Sequence, residues 1–94
     1  MNKETILKEI LTLTKELEKQ LLMSNEYNRN YSIALGEKVE KLVARGTAST
    51  ISTTIAEGVN EVATHKYFAD NARARAKVIV YEINALLAVL GSNE

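Results

Sequence analysis

The chain has 94 residues, 46% of them hydrophobic, no cysteine, no proline, and 12 basic residues against 12 acidic ones. This length allows one domain, residues 1–94, and the missing thiols exclude disulfides and cysteine-ligated metals. A single His excludes a multi-His zinc site within one chain, so no metal or cofactor is expected.

Charge is balanced in each half as well: 8 basic and 7 acidic residues in 1–47, then 4 and 5 in 48–94. Duplex DNA asks for a net-basic face that displaces counterions, so a double-stranded DNA partner is not expected. No apolar run approaches the ~18 residues of a membrane span. Met1-Asn2-Lys3-Glu4-Thr5 carries an acid from the start and leads into no apolar h-region, so a secretory signal is not expected and the expected location is the cytoplasm. A short, cysteine-free chain rich in Lys, Glu and Asn is also compatible with a bacterial virus or mobile element.

Asn2 is a good N-cap, and Glu4 in the following turn complements the helix dipole. Leu7, Ile10, Leu17 and Leu21 follow a 3-4 spacing with Thr14 at the missing step, and Ile6 and Leu13 widen the stripe. This predicts a helix over 3–23. Ser24-Asn25-Glu26-Tyr27-Asn28-Arg29-Asn30 then goes polar. Its three asparagines compete for backbone hydrogen bonds and favour a break, although the seam keeps its phase through Tyr31, Leu35 and Leu42. Two helices, 3–23 and 30–45, are expected here.

Arg45-Gly46 reads as a helix stop: a cation in the last turn, then a glycine free to adopt the left-handed conformation. Thr47–Thr54 holds six hydroxyl residues in eight positions, with Ser49 or Thr50 as early caps and Thr54-Ile-Ala-Glu57 as a capping box. The final segment carries the 4-3 seam Ile55, Val59, Val62, Lys66, Ala69, Arg73, Ala76, Val80, Ile83, Leu87, Leu90, with Phe68, Ala72 and Ile79 on an adjacent face. Residues 78–90 are apolar on nearly all sides, which a two-layer hairpin cannot cover.

The expected fold is therefore all-α: an antiparallel helical hairpin of two long, or three to four shorter, helices that turns at Gly46-Thr47. It is expected to assemble into a homo-oligomeric helical bundle, with Ile79, Ile83, Leu86, Leu87 and Leu90 at the oligomer interface. Asn28 and Lys66 each stand 19 residues from Thr47, about 28 Å along a helix. Tyr27, Asn28 and Arg29 would then face His65, Lys66, Tyr67 and Arg73 across the hairpin. Such a layer offers cations for phosphate and Tyr rings for a planar group, or it fixes register as buried polar residues do in coiled coils. The turn residues Gly46, Thr47, Ser49 and Thr50 form a second candidate, an anion site at a helix start, although the P-loop spacing is absent. No nucleophile–base or paired-carboxylate arrangement emerges, so no catalysis is expected. The expected function is binding. The leading form occupies or sequesters a macromolecular partner; the alternative is a sponge for a small phosphate-bearing ligand such as a (cyclic) nucleotide.

Overall fold

The structure is a computed structural model that describes residues 2–92. Three helices follow in order: α1 (Lys3–Ala44), α2 (Ser49–Glu57) and α3 (Asn60–Ser92). There is no strand among the described residues. Asn2 caps α1 as its sequence suggests, its side-chain oxygen accepting the Thr5 N–H at 2.8 Å. Gly46 supplies the turn with φ 92°, and the Gly46 and Thr47 amides donate back to the Val43 and Leu42 carbonyls.

The break expected over residues 24–30 is not there: α1 runs unbroken for 42 residues. Tertiary packing overrides the weak propensity of the asparagines. Ser24 is buried against α3, where its hydroxyl donates to the Ala69 carbonyl at 3.4 Å, and Tyr27 stacks on Phe68. The interruption lies in the second arm instead, at Gly58-Val59. There the amides of residues 58 and 59 reach only three residues back, to Ile55 and Ala56, before α3 begins. The hairpin therefore pairs α1 with a two-piece return arm.

The Thr54–Glu57 capping box is also corrected. α2 starts at Ser49 behind Ala48, with no side-chain cap, and Thr54 lies inside the helix with its hydroxyl donating to the Thr50 carbonyl. Ser52 and Thr53 likewise donate, to the carbonyls of Thr47 and Ser49. These hydroxyls bond backwards along the chain rather than capping amides.

Contacts between α1 and α3 follow a 3-4 rhythm on both helices. On α3 the covered positions are Val62, His65, Ala69, Ala72, Ala76, Ile79, Ile83, Leu86 and Leu90. The sequence seam shares every second member of this set but takes Lys66, Arg73, Val80 and Leu87 where the fold uses His65, Ala72, Ile79 and Leu86. All four of the former are exposed. The shift of one residue puts three alanines in the middle of the seam and removes two cations from it, which avoids burying unpaired charge. On α1 the matching positions include Ile6, Ile10, Leu13, Leu17, Gln20, Ser24, Tyr27 and Tyr31.

The result is a rod of 67 × 16 × 15 Å with a radius of gyration of 20.0 Å. A compact domain of this length would have about 12 Å. Its core is small: Ile6, Ala56, Val62, Ala69, Ala72, Ala76 and Ile79 are the buried apolar residues.

Candidate functional site

Each seam residue of α3 has one neighbour on either edge of the hairpin. Lys66, Arg73, Val80 and Leu87 line one edge; Phe68, Arg75, Glu82 and Val89 line the other. Helix geometry sets this, because positions seven apart return to nearly the same face. On α1, Leu7, Thr14, Leu21 and Asn28 share the first edge, while Glu9, Glu16, Met23 and Asn30 share the second.

The second edge holds the aromatic and acidic contacts. Tyr27 stacks on Phe68 with centroids 5.3 Å apart and planes at 29°. Tyr67 meets the same Phe68 ring edge-on at 5.7 Å and is itself 63% exposed. One helical step nearer the open end of the hairpin, Glu16 accepts from Gln20 Nε2 at 2.8 Å and lies 3.9 Å from Arg75 Nε. The open distance and the exposure of the Arg75 side chain make this a weak pair.

The first edge holds the cations. A groove of about 550 Å³ runs along it, lined by Leu17, Leu21, Arg73, Ala76, Lys77, Val80 and Tyr81. Its floor is aliphatic, and Arg73 and Lys77 stand at the rim. A neighbouring hollow continues along α1 past Thr14, Glu18, Leu22 and Asn25.

The expected central layer thus divides. Ser24, pairing with Ala69 at almost the expected level, confirms the mirrored register of the two arms. Within that register, Tyr27 and Tyr67 gather around Phe68, while Lys66 and Arg73 belong to the opposite edge. Asn28 is half-buried, and Arg29 is exposed. His65 is half-buried and shares a shallow hollow with Asn30, Ile33, Ala34, Glu37 and Glu61. At the turn, Gly46, Ser49 and Thr50 are exposed and Thr47 is half-buried. Of the five expected interface residues, Ile79 is already buried within the hairpin; Ile83, Leu86 and Leu90 are half-buried, and Leu87 is 49% exposed.

Phe68 and the Leu17–Leu21–Val80 groove do not stand out as a site in the sequence. The signal that finds them is the second 3-4 track through His65, Ala72, Ile79 and Leu86, which fixes which neighbours fall on which edge. Among the described residues, no helix is long and apolar enough to cross a membrane. Comparison with family models, with curated proteins and with solved structures returned no match to the chain.

Proposed function

We propose that the protein is a non-catalytic, homo-oligomeric helical binding protein of the cytoplasm that occupies or sequesters a macromolecular partner. One observation supports the assembly: fifteen large apolar side chains among the described residues are exposed on a single hairpin, with Leu7, Leu21, Val80 and Leu87 along one edge. The accessible surface is 6731 Å², against about 5,400 Å² for a compact monomer of this mass. Exposed apolar side chains that line up along one edge support association. Aromatic side chains on the other edge, Tyr27, Phe68 and Tyr67, are of the type that anchors protein interfaces. A native pull-down with the tagged chain tests the partner: a stoichiometric protein lost on Tyr67→Ala supports the reading. Recovery of the chain alone, from cells in which it is active, contradicts it.

The groove favours a second reading, in which the assembly binds a small phosphate-bearing ligand such as a (cyclic) nucleotide. Arg73 and Lys77 would neutralise phosphate, Tyr81 would stack, and the aliphatic floor would take a planar base. Thermal denaturation against mono-, di- and cyclic nucleotides separates the two readings. Ligand at about 100 times its dissociation constant stabilises by about 2.7 kcal/mol. Arg73→Ala should abolish that shift and leave helicity intact. No shift with any nucleotide removes this reading.

A further inference from the structure

The edge that carries the groove is self-complementary. Its residues recur every seven positions on both arms: Leu7, Thr14 and Leu21 on α1, and Arg73, Val80 and Leu87 on α3. The register set by Ser24 and Ala69 places Thr14 opposite Ile79, within one residue's rise, about 1.5 Å, of Val80. A two-fold axis across the edge at that level therefore maps both triplets onto themselves. Leu21 of one copy meets Leu7 of the next, and Val80 meets its own mate. Leu87 enters the groove beside the aliphatic stem of Arg73. Moving toward the turn, the next step on this edge is Asn28 with Lys66, so the apolar character stops there.

We propose that two copies of this chain pack antiparallel through the open-end halves of this edge, with the two-fold axis lying in the contact plane and running across the edge past Thr14 and Val80. Leu7 and Leu87 of each copy fill the groove of the other. The inference rests on the self-association proposed above and names its surface and register. The lap is about 30 Å long, from fourteen residues of rise plus the end side chains, and two helices wide. Its footprint of about 600 Å² a side reaches the lower end of a standard interface. Leu21, Val80 and Leu87, each 41–49% exposed in the single hairpin, are the side chains it covers. Lys66 stays outside the lap, about 21 Å from the axis, where its charge remains in water.

The absence of cysteine makes the test direct. Val80→Cys and Lys66→Cys are made separately in the full chain, each at an exposed site, and oxidised mildly at micromolar concentration. Light scattering of the reduced proteins runs in parallel. The expected result is a covalent dimer for Val80→Cys and little or none for Lys66→Cys. If the reduced chain is oligomeric but Val80→Cys does not cross-link, or if both variants cross-link equally, this register is overturned while self-association stands. If the reduced chain is a monomer, the register and the reading it rests on both fall.

Discussion

Three alanines decide how close the two arms come. Ala69, Ala72 and Ala76 are all buried, and at Ala69 the approach lets a serine hydroxyl on α1 reach a backbone carbonyl on α3. Larger side chains there would force the helices apart in a seam that has few other anchors. Ala72→Leu should therefore destabilise the hairpin by about 1–3 kcal/mol through overpacking, seen as a lower urea midpoint with an unchanged slope. A neutral result would mean that the arms are not held this closely. The same small residues explain why Lys66 and Arg73 are pushed to an edge. A long cation in a narrow seam would lose its water without gaining a partner, whereas one residue further round it stays solvated. Both cations lie outside the hairpin seam, so Lys66→Ala and Arg73→Ala should leave the circular dichroism spectrum unchanged. Loss of helicity in either would place them back in the core.

Both arms were legible in the sequence as helices, because the 3-4 spacing and helix-forming residues agree along most of their length, with Asn2 capping the first arm. The turn was legible for a conformational reason: Gly46 adopts φ 92°, which other residues reach only with strain. Gly46→Ala should cost about 1–2 kcal/mol. Gly36 is exposed in the last third of α1, where an added methyl group would meet no atom outside the helix's own backbone within 4 Å. Gly36→Ala should instead stabilise by about 0.5–1 kcal/mol. Thermal melts of the two variants should move in opposite directions; a common direction would contradict the placement of the turn. What the sequence hid were the continuity of α1 through its asparagines and the break at Gly58. Local propensity points the wrong way at the first site, where Ser24 and Tyr27 are held by α3. At the second site a single glycine in an otherwise helical run gives a weak signal. The choice between two seam tracks one residue apart was equally underdetermined. Both share Val62, Ala69, Ala76, Ile83 and Leu90, and only the cost of burying Lys66 and Arg73 separates them.

A rod of this kind leaves its best apolar residues outside. The buried set is dominated by alanine, and Leu7, Leu11, Leu21, Leu22, Val80 and Leu87 remain exposed. In the apolar run at 78–90, Ile79 is buried within the hairpin while Leu87 is exposed, so the proposed assembly would draw on Leu87. Leu87→Asp should leave the single hairpin helical but reduce its assembly, because the charge would sit in an apolar contact between copies. The measurement that bears most directly on the whole account is the mass of the native chain in solution. Multi-angle light scattering at micromolar concentration should give an even multiple of 10.4 kDa, since two-fold interfaces are the commonest closed contacts. A mass of 10.4 kDa for the unmodified chain would contradict it.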